Sequence, residues 1–208
     1  TEFHQIKERL RETIYQTPGM LPSRYVYILT NQCNLRCGFC FQDKKPKENP
    51  MTSENWIHLT EQLPEYARVT LTGGEPLVFP GFEKVFKYVA ERFNCNVITN
   101  GILLTPEKID YMLSFPKFRV LSVSIDDIGD ELRGVSHEKW NHLEKMLKYF
   151  SERKKENNNG QILDIKTMVV DENAEQLFET YRYLAEEIGV DTHAFQFLKG
   201  SPIQHSDQ

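Results

Sequence analysis

Three of the four cysteines lie within eight residues, in Cys33-Asn34-Leu35-Arg36-Cys37-Gly38-Phe39-Cys40, a CxxxCxxC spacing. Thiolates are soft, strongly donating ligands that suit iron in mixed oxidation states. Structural zinc normally takes four protein ligands, often as CxxC pairs. Three thiolates on one short loop instead suit three corners of a cubane iron–sulfur cluster. The fourth iron is then left open to a small molecule. A zinc ion completed by Cys95 or a histidine is the competing reading. Against it, Cys95 opens the third predicted strand rather than its C-terminal end, and no two histidines have HxH or HxxxH spacing.

The elements that must position this loop follow from periodicity. Residues 25–30, 68–72, 96–99, 119–125, 162–169 and 192–198 read as strands. Between them, apolar residues recur at helical spacing, as in Trp56, Leu59 and Leu63, or Trp140, Leu143, Leu147 and Phe150. Thr105 before Pro106 and Ser136 read as helix starts, and Gly189 as a stop. Strands alternating with helices predict right-handed crossovers and a parallel sheet, hence an α/β fold. Residues 1–20 read as an N-terminal helical extension and 21–208 as the main domain.

Composition excludes several roles. A chain of 208 residues with 39% hydrophobic and 26% charged residues belongs with globular proteins. Its net charge of -5 argues against capture of nucleic acid. There is no apolar run long enough for a membrane span. Residues 1–12 are charged and lack the apolar core of a secretory signal, so a reducing, cytoplasmic setting is expected and a disulfide framework is not.

Two strands carry an unusual pattern. Leu121, Val123 and Ile125 alternate with Ser122, Ser124 and Asp126, and Leu163, Ile165 and Val169 alternate with Asp164, Lys166 and Met168. A parallel strand covered on both faces should read almost continuously apolar. One face therefore suits a helix layer, and the other is either wet and ligand-binding or a set of mutually satisfied core polars. The pattern fits an open (β/α) barrel better than a closed one filled by aliphatic residues.

Together, the cysteine loop after the first strand and Gly73-Gly74-Glu75-Pro76 after the second resemble the radical S-adenosylmethionine superfamily, from about Tyr25 to Leu198. The resemblance implies a partial (β/α)6 TIM-like barrel with parallel strands and chemistry at the C-terminal ends of its strands. It implies a 4Fe–4S cluster on Cys33, Cys37 and Cys40, with S-adenosylmethionine on the unique iron. The Gly73–Glu75 backbone and carboxylate would receive the methionine amino group, the glycines letting the ligand approach closely, with Pro76 a further cofactor-binding candidate. By the same resemblance, Phe39 lies beside adenine, Ser124 contacts the cofactor, Arg133 grips its carboxylate or ribose, and Leu198 packs on adenine. Asn100, Asp126 and Lys166 are further cofactor candidates near the mouth.

The implied activity is that of an oxidoreductase-type radical enzyme. Reductive cleavage of S-adenosylmethionine gives a 5′-deoxyadenosyl radical that abstracts hydrogen from a substrate. A low-potential donor, flavodoxin- or ferredoxin-like, would supply the electron. The stretch from Ser124 through Gly134 resembles the SPASM-type branch of peptide- and protein-maturating enzymes, which implies a peptide or protein substrate. Small-molecule chemistry in cofactor, nucleoside or lipid biosynthesis is the alternative, as is a non-catalytic scaffold. That branch usually continues into a cysteine-rich C-terminal region, and these 208 residues hold no cysteine after Cys95. Two expectations follow, a chain shortened at its C-terminus or a minimal single-cluster enzyme. The residues of chain 44–47 are expected to form a solvated loop, with a lid over the site as the other reading.

Overall fold

The computed structural model describes residues 5, 9, 12, 13, 16–40, 42, 50–157 and 159–197. Six strands form one parallel sheet in sequence order: β1 (Arg24–Ile28), β2 (Arg68–Thr72), β3 (Asn94–Thr99), β4 (Phe118–Ser124), β5 (Ile162–Val169) and β6 (Thr192–Phe197). Helices α1 (Ser53–Glu61), α2 (Phe82–Arg92), α3 (Pro106–Leu113), α4 (His137–Asn157) and α5 (Leu177–Tyr183) link successive strands. This is the expected α/β architecture, a six-unit barrel that does not close. Among the described residues, β1 and β6 have no strand partner on their outer sides. No described helix is long and apolar enough to cross a membrane. Gln5, Arg9, Glu12, Thr13 and Gln16 are helical; the Lys44–Lys47 stretch and Leu198 lie outside the described residues.

Local chemistry sets the boundaries. Thr52 and Asn55 form a reciprocal capping box on α1, and Thr105 accepts from Lys108 N at the start of α3. Gly189, at φ 76°, ends the helical stretch before β6. Strand ends shift by one or two residues from the sequence reading, β4 for example running from Phe118 to Ser124 where alternation predicts 119–125. Asn94 and Cys95 belong to β3 although Asn is a poor strand former, because they pair with Arg68 and Val69 of β2. β1 stops at Ile28, and Thr30 gives its carbonyl to Gly74 N at 2.7 Å instead.

One sheet face holds the core. Val69, Leu71, Val97, Leu121, Val123, Leu163 and Ile165 are all fully buried beneath the helices. The Phe86 ring of α2 meets Phe118 and Phe115 edge-on, with centroids 5.4 and 5.5 Å away.

The other face combines both of the readings open from sequence. Ser122 Oγ donates to Asp164 Oδ2 at 2.8 Å, Thr192 Oγ1 donates to Asp164 Oδ1 at 2.7 Å, and Lys166 Nζ lies 3.0 Å from Asp164 Oδ2. Midway along β4 and β5, then, the polar groups satisfy one another. Toward the strand ends, Ser124 and Lys166 are half-buried. On β1 this face is apolar and exposed, through Val26 and Ile28.

Candidate functional site

The cysteine loop leaves β1 at the C-terminal border of the sheet. Leu35 is buried and pins the loop to the core. Its backbone N–H donates to Cys33 Sγ at 3.4 Å, and Cys40 N–H donates to Cys37 O at 3.2 Å. Cys33, Cys37 and Cys40 are half-buried thiols that form no disulfide with one another. Phe39, between the last two, is also half-buried. Asn100, just past β3, reaches across: its side-chain amide donates to Asn34 Oδ1 at 2.7 Å and to Cys33 Sγ at 3.7 Å.

The donor set fits a cluster better than a single ion. Cys95 is fully buried near the start of β3, away from the strand ends that carry the loop, and burial pushes its thiol far up. A completely buried, protonated thiol at that end cannot complete a site at the mouth. Among the described residues, no three His, Cys, Asp or Glu side chains form a group that could hold one metal ion. A tetrahedral zinc needs its ligands around one centre, whereas a cubane offers a separate iron to each thiolate.

The Gly73–Pro76 segment is joined to this loop by backbone. Gly74 N–H donates to Thr30 O at 2.7 Å and Glu75 N–H to Gln32 O at 2.9 Å. A Cβ on Gly73, which stands at φ 152°, would sit 2.3 Å from Thr30 O, and one on Gly74 would sit 2.3 Å from Gln32 O. The glycines therefore admit the chain's own backbone. Gly73 O accepts from Gln42 Nε2 at 2.8 Å.

Glu75 is fully buried. Its Oε1 accepts from Thr99 Oγ1 at 2.7 Å and Leu77 N–H at 3.0 Å, and its Oε2 accepts from Asn100 N–H at 2.7 Å. Burial pushes its carboxyl up and these donors pull it back. The carboxylate expected to meet an amino group is thus the hub that ties the second loop to the end of β3. Pro76 is buried and opens a short 3-10 turn, Pro76–Val78.

A second constellation lies beyond β4. Arg133 ends the 3-10 turn Glu131–Arg133 and is 5% exposed. Its Nη1 donates to Ser124 O and, at 2.9 Å, to Asp130 Oδ2; its Nε lies 3.7 Å from Asp126 Oδ2. The Arg133 carbonyl faces Cys37 Sγ at 3.9 Å. Burial alone would lower the guanidinium, but Asp130, Cys37 and Asp126 hold it raised, with a side-chain hydrogen bond to Cys37 adding to the effect.

Asp126 accepts from Met168 N–H at 2.6 Å and so joins the ends of β4 and β5. Asp127 accepts from the Glu131 and Leu132 N–H groups. Desolvation pushes Asp126 up to about 6 and Asp130 up to about 7, against the pull of Arg133.

The structure thus sets Asn100 against Cys33 and Arg133 against Cys37 on one loop, and ties Asn100 in turn to Glu75. Lys166 is committed to Asp164, two residues back on the same strand face. Sequence reasoning missed Asn34, Thr99, Asp130 and Asn173, whose Nδ2 donates to Asp126 O and Met168 O, both at 2.8 Å. Asp130 adopts φ 55°, the one positive φ outside glycine among the described residues. An Asp preceding a short turn is a usable signal for that conformation, since Asp and Asn tolerate it best.

Comparison with known proteins agrees with this geometry. Residues 27–184 match the radical SAM superfamily. The chain is 32% identical over 183 residues to a tungsten-containing aldehyde ferredoxin oxidoreductase cofactor-modifying protein of Pyrococcus furiosus, covering 81% of this chain and 49% of that one. It is 35% identical over 121 residues to the sporulation killing factor maturation protein SkfB of Bacillus subtilis, covering 55% and 29%. Streptococcus suis SuiB bound to S-adenosylmethionine superposes with a TM-score of 0.74 at 18% identity, over 95% of this chain and 46% of that one. The chain spans about half or less of the length of these proteins.

Two outcomes follow. Gly74→Ala should destabilise the protein by about 1–3 kcal/mol, the usual cost of forcing atoms into occupied space, read as a lower urea midpoint. An unchanged midpoint would mean that the two loops can separate freely. Asp126 and Asp130 both sit above the ordinary 3.8, so the folded chain binds more protons than the unfolded chain between 3.8 and about 7. Their stabilising contribution is full below that window and is lost as pH rises through it. Unfolding free energy of the iron-free protein should fall across that range, and Asp130→Asn should flatten the fall. An equally steep fall in the variant would assign it to other groups.

Proposed function

The chain belongs to the radical SAM superfamily, and from that membership we propose that Cys33, Cys37 and Cys40 hold its 4Fe–4S cluster while the ends of β2–β6 hold S-adenosylmethionine. The observation that carries this reading is the half-buried cysteine loop fastened at backbone level to the Gly73–Pro76 loop. When bound, the cluster and the sulfonium cofactor supply one-electron cleavage and a hydrogen-abstracting 5′-deoxyadenosyl radical. The protein supplies orientation and exclusion of water.

The chain's own residues take the following parts in this reading. Asn100 donates to Cys33 Sγ and fixes where that thiolate points, as an outer-shell partner does for a metal ligand. Glu75 holds the Gly73–Pro76 loop against β3, so that the Gly73 and Gly74 backbone presents a fixed edge to the cofactor amino group. Phe39 offers an aromatic face beside the loop for adenine. Ser124 stands half-buried at the end of β4 as a polar contact for the cofactor or the substrate, while Lys166, opposite it on β5, is held by Asp164. Leu198, read as an adenine contact, lies outside the described residues.

The substrate in this reading is a peptide or protein. Support comes from names: the sporulation killing factor maturation protein and the antilisterial bacteriocin subtilosin biosynthesis protein AlbA of Bacillus subtilis are relatives, and SuiB has been seen with its precursor peptide. Small-molecule chemistry is the second reading, favoured by relatives described as S-adenosylmethionine-dependent nucleotide dehydratases and GTP 3′,8-cyclases. Either reading requires a low-potential electron donor, flavodoxin- or ferredoxin-like, in a reducing cytoplasm.

The test is anaerobic reconstitution of the whole protein with iron and sulfide, followed by reductant and S-adenosylmethionine. Iron uptake and 5′-deoxyadenosine formation are expected. Cys37→Ala should lose the cluster and at least 100-fold of the cleavage, the upper range for loss of a second-shell partner and hence a floor for a ligand. Full iron and turnover in that variant would remove Cys37 from the ligand set. Peptide and nucleotide panels, compared by substrate-stimulated 5′-deoxyadenosine, separate the two substrate classes.

A further inference from the structure

A buried arginine paired with two buried aspartates is an expensive arrangement, because each charge has been taken out of water. Its placement shows what the cation is next to. Arg133 is held on two of its nitrogens, Nη1 by the Ser124 carbonyl and Asp130 Oδ2 and Nε by the nearby Asp126 Oδ2. The carbonyl of the same residue also faces Cys37 Sγ at 3.9 Å. The main chain of this residue thus touches one cysteine of the loop, across 96 residues of sequence, and its guanidinium and that sulfur attract each other. Asp130 and Gly134 bracket the turn in left-handed backbone conformations, at φ 55° and 71°. The turn is therefore folded tightly enough to aim the guanidinium inward, and only 5% of the residue remains exposed.

We propose that Arg133 is a positioning residue for Cys37, which sets the reduction potential of the cluster by its buried charge beside that sulfur and does not clamp the cofactor's carboxylate. This rests on the reading of Cys37 as a cluster ligand. A donor aimed at a thiolate sulfur withdraws electron density from the iron it ligates and favours the reduced cluster, as does a nearby fixed positive charge. A carboxylate clamp needs an open, two-pronged guanidinium edge. Here Nη1 is taken by Asp130 and Ser124 and Nε faces Asp126, so neither two-nitrogen edge is left open as a pair. Asp126 and Asp130 then act to hold the guanidinium in place and to moderate its charge.

The experiment is a redox titration of the reconstituted whole protein, followed by electron paramagnetic resonance, beside equilibrium binding of S-adenosylmethionine to the oxidised form. Arg133→Met should keep the wild-type iron content and shift the reduced-to-oxidised ratio at fixed potential at least tenfold toward oxidised, which is a 59 mV fall for a one-electron couple. Its affinity for S-adenosylmethionine should stay within threefold of wild type. Asp130→Asn retains the arginine and removes a negative charge, so its potential should move the opposite way at a pH above 8. That variant decides the matter if Arg133→Met does not fold. Unchanged potentials in the folded variants would overturn the proposal, and a tenfold loss of S-adenosylmethionine binding without a redox shift would return Arg133 to the cofactor. Failure of the wild-type protein to take up iron would instead overturn the ligand reading itself.

Discussion

The close backbone approach between the loops after β1 and β2 constrains everything at the mouth. Two hydrogen bonds, from Gly74 to Thr30 and from Glu75 to Gln32, fasten the cysteine loop to its neighbour. The contact is possible only where no Cβ intervenes. Glu75 extends the same bracket to β3 through Thr99 and Asn100, and Asn100 returns to Cys33. A closed circuit of this kind lets three irregular loops behave as one rigid piece, which irregular chain does not achieve by local preference alone.

The cost of rigidity appears in the titrating groups. Glu75, Asp126 and Asp130 all sit above their ordinary values because they are desolvated, even though each accepts hydrogen bonds or faces a cation. Removing a single partner from such a network leaves a buried charge uncompensated, which costs far more than the net worth of the pair. The mouth is therefore built from groups that tolerate little substitution even where they meet no ligand. Polar residues at the strand ends divide accordingly: Asp126 and Asp127 serve the scaffold, while Ser124 and Lys166 keep some exposure.

Much of this was legible in the sequence, for reasons that can be named. Strand and helix periods are local, and β2 and β5 have the boundaries that alternation predicts. The cysteine spacing and the Gly-Gly-Glu-Pro run are short, and their positions directly after strands place them at one border of the sheet. What approaches a glycine is not local. The pair at 73 and 74 announces crowding without saying that Thr30 and Gln32 do the crowding. The arginine partners were equally invisible, because Asp130 earns its place through a left-handed turn and Cys37 lies 96 residues away. Polar alternation on β4 and β5 was visible, but only the register, Ser122 opposite Asp164, shows that these two satisfy each other.

The unclosed sheet has a practical side. Among the described residues, its two borders leave β1 and β6 without a strand neighbour on their outer sides, and the first border also bears exposed Val26 and Ile28 while the last bears Phe195 and Phe197. Rows of unsatisfied amides beside greasy side chains are templates on which foreign strands grow. Handling these 208 residues by themselves at high concentration therefore invites border-to-border stacking into fibres. A lysine or proline at Val26 is the kind of gatekeeper that would keep such preparations dispersed.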